Sequence, residues 1–217
     1  MRLALITARG GSNRIPKKNV RPFANQGPMI TLPIKALLSS GLFEEVCVDT
    51  DSEEIAEISR NAGASVPYLR PTHLAQNNVP TLEVVRHAIS RLRLKPEDEL
   101  LVAYPTNYLT PEHYRLAFEA FNFSSGDFLV SVTPVQSRVD RLFSLSTQSK
   151  LLRLEVRHDG DQATEPQLYT DAGKFYLGRV SSWVTTTGIF TSSEVFRLDW
   201  KYGIDVDTPD DWNLAEE

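Results

Sequence analysis

Stretches of strand character and helix character alternate through the first two thirds of this 217-residue chain, and that alternation limits the fold more than any other feature. After the apolar run Leu3-Ala4-Leu5-Ile6, residues Met29 to Ser40 carry Ile30, Ile34, Leu37 and Leu38 at helical spacing. Pro33 falls in the first turn of that helix, where a missing N–H is tolerated, and Gly41 closes it. Glu45 to Asp49 reads as a short buried strand. Asp49-Thr50-Asp51-Ser52 then offers capping side chains for a helix from Glu53 to Ala62, ended by Gly63. The pattern goes on with a strand at Ser65 to Leu69, a helix at Thr81 to Leu92 and a strand at Leu100 to Tyr104. A helix at Pro111 to Phe121 and a strand at Phe128 to Val132 complete it. Such repetition predicts an α/β fold: a mostly parallel, Rossmann-like sheet with helices on both faces. Ligands of these sheets sit at the carboxyl ends of the strands. That rule gathers the loop after Ile6, Asp49-Thr50-Asp51 and Tyr104-Pro105-Thr106 on one edge.

From about Thr133 the alternation stops. Val139 to Leu145 and Leu151 to Val156 predict a β-hairpin within an excursion at about residues 135–167, followed by the turn-rich Arg157-His158-Asp159-Gly160-Asp161. Two strands are too few for a core of their own, so pairing with a second copy of the chain, a homodimer, is the economical way to bury them. The chain returns to the sheet from Tyr169. Ser181 to Thr186 reads as a short helix or turn, and Thr208 as the N-cap of a terminal helix with Pro209 at its first position. The expectation is one domain over residues 1–217.

The loop after the first strand carries the charge. It reads Ala8-Arg9-Gly10-Gly11-Ser12-Asn13-Arg14-Ile15-Pro16-Lys17-Lys18-Asn19, and with Arg21 it offers five cations. Seven of the chain's 23 cations fall in the first 43 residues, which hold no Asp or Glu. A chain of net charge −5 therefore carries −12 elsewhere. Small residues at a strand end let backbone N–H groups approach an anion, and Arg9, Arg14, Lys17, Lys18 and Arg21 can neutralise it. The alternative is a solvated basic surface, against which the glycines and Pro16 argue for a shaped loop. A second feature lies near the other terminus, at Ile204-Asp205-Val206-Asp207-Thr208. On an extended segment Asp205 and Asp207 point the same way, spaced to share a hard divalent cation, with Mg²⁺ the expected ion beside a polyphosphate. The competing reading leaves Asp207 and Asp210 as charges at a helix start.

Other classes are disfavoured. A pI near 5.5 without distributed basic stripes argues against nucleic acid. The lone Cys47, inside Val46-Cys47-Val48, can form neither a disulfide framework nor a thiolate metal site and reads as a small core side chain. No stretch has the length of a membrane span, and the start lacks a signal peptide's apolar region, so the expectation is a cytoplasmic protein without a membrane partner. His73, His87, His113 and His158 stand in scattered contexts that read as surface or helix positions.

The basic loop resembles the signature of the cytidylyltransferases that activate nonulosonic acids, the CMP-sialic acid synthetases and their relatives. Tyr169-Thr170-Asp171-Ala172-Gly173-Lys174-Phe175-Tyr176-Leu177-Gly178 is similar to a segment of the pseudaminic acid cytidylyltransferases. Asp205-Val206-Asp207-Thr208-Pro209-Asp210-Asp211-Trp212 is similar to that family's metal motif. Arg70-Pro71 with Leu74, and Leu42-Phe43-Glu44-Glu45-Val46 before Asp49-Thr50-Asp51, match in order. The resemblance implies a nucleotidyltransferase fold and a reaction of CTP with a nonulosonic acid, pseudaminic acid first, giving CMP-sugar and pyrophosphate for surface glycans. Sialic or legionaminic acid is the alternative substrate, and a silent nucleotide- or sugar-binding homologue the alternative function. On matching positions it implies Arg9 and Lys18 at the phosphates, a cradle of Gly10, Gly11 and Ser12, and Asn19, Arg70 and Thr81 at cytidine. Asp205 and Asp207 would hold Mg²⁺, and Tyr104, Asp171, Phe175 and Tyr176 would line the sugar pocket. The chain departs from the family at Asn13, where a Lys is usual, and at Gln76-Asn77-Asn78, where an acid is usual.

Overall fold

A computed structural model describes residues 1–12, 14–136, 143–145, 151–153 and 168–217, the two short internal stretches by their backbone. Six strands form the main sheet: β1 (Arg2–Thr7), β2 (Glu45–Asp49), β3 (Glu99–Ala103), β4 (Phe128–Pro134), β7 (Tyr169–Arg179) and β8 (Ser193–Arg197). Their order is β2-β1-β3-β7-β4-β8. All run parallel except β7, which lies antiparallel between β3 and β4. The predicted mostly parallel sheet is therefore observed, with one reversed strand. That reversal brings the amino-terminal end of β7 to the edge where β1 and β3 have their carboxyl ends, as the pairing of Ala103 with Phe175 records. A separate antiparallel pair, β5 (Phe143–Leu145) with β6 (Leu151–Arg153), falls within the expected hairpin. Residues 137–142, 146–150 and 154–167 of that excursion, His158 among them, lie outside the described residues, as does Asn13.

Strand alternation splits the core into two layers. One face of the sheet, through Ala4, Ile6, Val48, Leu101, Phe175 and Leu177, packs on α1 (Thr31–Ser40), α2 (Glu53–Asn61) and α4 (Pro111–Asn122). The other, through Leu5, Cys47, Val102, Val130 and Tyr176, packs on α3 (Thr81–Leu92) and α5 (Val180–Thr185). Cys47 is buried and free, as its apolar context predicts. Gly41 ends α1 in the left-handed region, at φ 69°, and its N–H bonds to the Leu38 carbonyl. The predicted strand at Ser65 to Leu69 is corrected: only isolated bridges of Cys47 with Ser65 and Thr50 with Leu69 form beside β2. Pro67, in the middle of the stretch, has no N–H to donate to a ladder. The last helix, α6 (Pro209–Glu216), starts as expected at the Thr208 cap, where the Asp211 carboxylate reaches back to the Thr208 N–H in a capping box.

Candidate active site

The loop after β1 is tied down by backbone-directed bonds. The Ala8 N–H donates to the Asp49 carbonyl (2.9 Å), the Gly10 N–H to Asp51 Oδ1 (2.8 Å), and Asn19 Nδ2 to the Arg9 carbonyl (2.9 Å). A Cβ on Gly10 would meet the Ser52 Cβ at 3.0 Å, so a small residue is what lets the loop lie against the start of α2. Lys17 takes a left-handed conformation, φ 55°, and turns the chain into a short 3₁₀ segment at Lys18–Val20.

An apolar lock joins this loop to the far end of the sequence. Ile15, Phe23, Met29, Val206 and Trp212 form a buried cluster of their own. Val206 is 0% exposed. Because alternate residues of an extended segment point to opposite sides, driving Val206 inward turns Asp205 and Asp207 outward together, into a cavity of about 690 Å³. Lys18 Nζ donates to the Val206 carbonyl (2.7 Å) and stands 3.5 Å from Asp207 Oδ1, while the Arg14 guanidinium lies 2.7 Å from Asp207 Oδ2. The amino-terminal loop and the paired aspartates, 188 residues apart at Lys18 and Val206, thus meet across one cavity.

The pair is electrostatically loaded. Burial raises the Asp205 pKa and the neighbouring Asp207 raises it further, against Lys174, Lys18 and Arg14. Lys174, 1% exposed, sends its ammonium to the Ile204 carbonyl (2.6 Å) and the Thr106 carbonyl (3.1 Å). Burial pulls its pKa down to about 8, with Asp205 opposing and Lys18 adding to the drop. Among the described residues no group of three His, Cys, Asp or Glu side chains is gathered as a metal site. Asp205 and Asp207 offer two carboxylates, and any other oxygen donors would have to come from a ligand.

Of the five expected cations, Arg9, Arg14 and Lys18 line the cavity. Lys17 instead pairs with Glu54 on the surface (2.9 Å), and the Arg21 guanidinium sits 4.8 Å over the Trp212 ring. Gly11 and Ser12 line the cavity, whereas Gly10 lies behind it on Asp51. Asn19 lines it too, with a buried Oδ1 that has no partner among the described residues. Arg70 reaches the wall from a buried ion pair, Nε to Asp49 Oδ2 at 3.1 Å with a second bond to the Asp49 carbonyl (2.8 Å). Burial nevertheless raises the Asp49 pKa, outweighing Arg70. Arg9 bonds to the Asn77 side chain across the mouth.

The third wall is hydroxyl-rich. Thr81, Tyr104, Asp171 and Tyr176 all line the cavity. The expectation for Phe175 is corrected: alternation along β7 sends it to the opposite face, fully buried against Tyr114 and Phe196. No described histidine lines the cavity; His113 serves the cap of α4, accepting from the Thr110 N–H. Three residues with structural duties at the site gave no clear sequence signal. Ser131 fills the irregular pairing of β4 with β7, its hydroxyl accepting from the Phe175 N–H (3.1 Å) and donating to the Phe175 carbonyl (3.0 Å). Ile15 and Val206 look like ordinary apolar residues. Lys174 did leave a signal, since a lysine two positions before Tyr176 on an apolar strand must share its face.

Comparison with known proteins bears on this geometry. The chain is 32% identical to a pseudaminic acid cytidylyltransferase of Campylobacter jejuni over 99% of its own length and 94% of the relative's. It is 31% identical to a CMP-N,N'-diacetyllegionaminic acid synthase of Legionella pneumophila over 99% of this chain and 94% of that one. The solved structure of a CMP:2-keto-3-deoxy-manno-octonic acid synthetase complexed with CTP superposes with a TM-score of 0.73, covering 99% of this chain and 96% of the other at 13% identity, which carries the fold. The model of the cytidylyltransferase family matches residues 3–154, the span that holds the basic loop, Arg70, Thr81 and Tyr104, and this chain belongs to that family.

Proposed function

We propose that the cavity couples CTP to a nonulosonic acid, with pseudaminic acid as the substrate and legionaminic or sialic acid as the alternatives, releasing pyrophosphate and the CMP-sugar for surface glycan synthesis. The observation that carries this reading is the meeting of Arg9, Arg14 and Lys18 with Asp205 and Asp207 across one cavity. Full-length likeness to enzymes named for two nonulosonic acids supports the sugar class.

In this reading the anomeric hydroxyl of the sugar attacks the α-phosphorus in line; its oxygen–phosphorus bond forms and its proton passes to solvent as the bond from the α-phosphorus to the bridging oxygen breaks and pyrophosphate leaves. Chemistry of this kind asks for positioning and charge dispersal rather than a covalent intermediate. Arg9 and Lys18 hold the triphosphate, and the backbone at Gly11 and Ser12 offers N–H groups to it. Asn19, Arg70 and Thr81 face the nucleoside, the orphan Asn19 Oδ1 being an acceptor for a ligand donor. Tyr104, Asp171 and Tyr176 bound the sugar end. The donor set of Asp205 and Asp207 fits Mg²⁺: two hard oxygen ligands on one side of the chain, with the Asp205 pKa raised in part by its neighbour. Bound there, the ion would spread the triphosphate charge and polarise the attacking hydroxyl. Assembly as a homodimer through residues 135–167, in the cytoplasm, completes the proposal; among the described residues no helix is long and apolar enough to cross a membrane.

Purified protein with CTP, Mg²⁺ and a panel of nonulosonic acids should release pyrophosphate and yield a CMP-sugar identifiable by mass. Asp207→Asn should lower the rate at least ~100-fold with its unfolding midpoint close to the parent's, a loss of the size seen when a transition-state charge partner is removed. CTP binding without product from any sugar, at high protein concentration, would refute the enzyme and leave a binding protein.

A further inference from the structure

Asp207 is held by a cation at each of its oxygens. The Arg14 guanidinium stands 2.7 Å from Oδ2 and the Lys18 ammonium 3.5 Å from Oδ1, and all three side chains line the cavity. The two cations are secured in different ways. The Lys18 side chain is 17% exposed, and its ammonium is fixed by the Val206 carbonyl at 2.7 Å, a bond that does not depend on Asp207. The Arg14 side chain is 66% exposed, and Asp207 is its one ion pair among the described residues. The residue after it, Ile15, is buried in the apolar lock. The backbone at Arg14 is therefore anchored while the guanidinium can leave Asp207 without moving the loop. An exposed ion pair of this kind is weak and readily exchanged.

We propose that Arg14 competes with the divalent ion for Asp207 and, once displaced, binds the triphosphate, so that ion and nucleotide each strengthen the binding of the other. The inference deepens the reading of the cavity as a CTP site and rests on it, and on the fit of Asp205 and Asp207 to Mg²⁺. A divalent ion ligated by Asp207 needs an oxygen that a cationic side chain already holds, and Arg14 is the side chain able to yield. Charge sets the two against each other as well, since Arg14 also acts on Asp205 and Asp211. The displaced guanidinium finds in a triphosphate the oxygens that its planar fork matches in pairs.

The coupling runs both ways. An ion on Asp207 releases Arg14 to the phosphates, and a triphosphate that draws Arg14 away opens Asp207 to the ion. The neighbouring cations cannot do this. Lys18 keeps its carbonyl whether or not Asp207 is engaged, and Arg9 bonds to the neutral side chain of Asn77. Lys17, on the same loop, pairs with Glu54 away from the cavity, which makes it a control for the loss of one positive charge.

The test is two titrations of the full-length protein for the parent, Arg14→Gln and Lys17→Gln. Mn²⁺ alone, a hard ion that carboxylates bind as they do Mg²⁺, is followed by the electron paramagnetic resonance of the free ion. CTP at saturating Mg²⁺ is followed by calorimetry. Arg14→Gln should move the two affinities in opposite directions: Mn²⁺ tighter by at least about threefold, as its competitor is gone, and CTP weaker by at least about fivefold. Lys17→Gln should leave both within about twofold of the parent. A change in Arg14→Gln that is absent or of the same sign for both ligands, or one that Lys17→Gln reproduces, would overturn the inference while the CTP site stands. Mn²⁺ binding to neither the parent nor Arg14→Gln would overturn it together with the ion site at Asp207. Failure of the parent to bind CTP would overturn the CTP reading and this inference with it.

Discussion

Replacing Lys174 by Met should change how stability depends on pH, by an amount the structure sets. The ammonium is sequestered at the carbonyls of Thr106 and Ile204 and 4.9 Å above the Tyr108 ring. Burial first, and Lys18 second, lower its pKa from 10.5 to about 8 against the pull of Asp205. Between those two values the unfolded chain holds a proton on Lys174 that the folded chain has released. The unfolded state binds more protons there, so rising pH favours folding. The full shift corresponds to about 3 kcal/mol, most of it regained between pH 7 and pH 10. The neutral amine keeps two hydrogens, enough for both carbonyls. Urea unfolding of the parent and Lys174→Met at several pH values over this range isolates the effect, because the other titrating groups cancel in the difference. The stability of the parent relative to the variant should rise by about 2 to 3 kcal/mol from pH 7 to pH 10. Parallel curves, with a difference constant to within ~0.5 kcal/mol, would refute the account of Lys174 as a buried cation held against its solvation.

Two further substitutions probe what holds the walls in place. Arg70→Met strands the buried Asp49 carboxylate and should destabilise the fold by about 3 to 5 kcal/mol in urea unfolding; adding Asp49→Asn should recover part of that, and a purely additive double variant would contradict the pairing. Gly203→Ala would set a Cβ 2.3 Å from the Thr133 Cβ, so the segment carrying Asp205 and Asp207 must shift. The expected cost is about 1 to 3 kcal/mol with a clear fall in kcat, both recovered when Thr133→Gly removes the obstructing atoms; unaltered kinetics would count against the segment's placement.

The parts of this molecule legible in the sequence are those whose cause is local. Helices α2, α3 and α4 follow from apolar spacing and terminal residues, and β2 from its apolar run, all within a residue or so of their observed ends. The basic loop and the Asp205–Asp207 pair were visible because glycines, cations and alternate carboxylates are unusual company. What escaped depends on partners distant in sequence. Phe175 and Tyr176 look alike as neighbours on a strand, and only the packing of α4 on one face and α3 on the other decides which meets the cavity. Pro67 denies Ser65 to Leu69 a ladder that its neighbours would otherwise support. Arg70, expected at cytidine from the resemblance, carries no local sign of its buried ion pair with Asp49, 21 residues earlier.

The same contrast locates the cost of the site within the fold. Most of the buried core is apolar and adds stability without penalty, whereas Lys174, the Asp49–Arg70 pair, the raised carboxyl of Asp205 and the Asn19 Oδ1, without a partner among the described residues, are arrangements that a chain selected for stability alone would replace. All but Lys174 and Asp49 line the cavity, and those two touch it through Thr106 and Arg70. Their charges alternate: cationic Arg9, Arg14 and Lys18, then Asp207 and Asp205, then Lys174 behind them. A polyanion with a divalent ion would complete that sequence at the front as Lys174 completes it at the rear. The apolar lock of Ile15 and Val206 is what holds like charges in place before a ligand arrives, so the binding free energy need not be spent on assembling them.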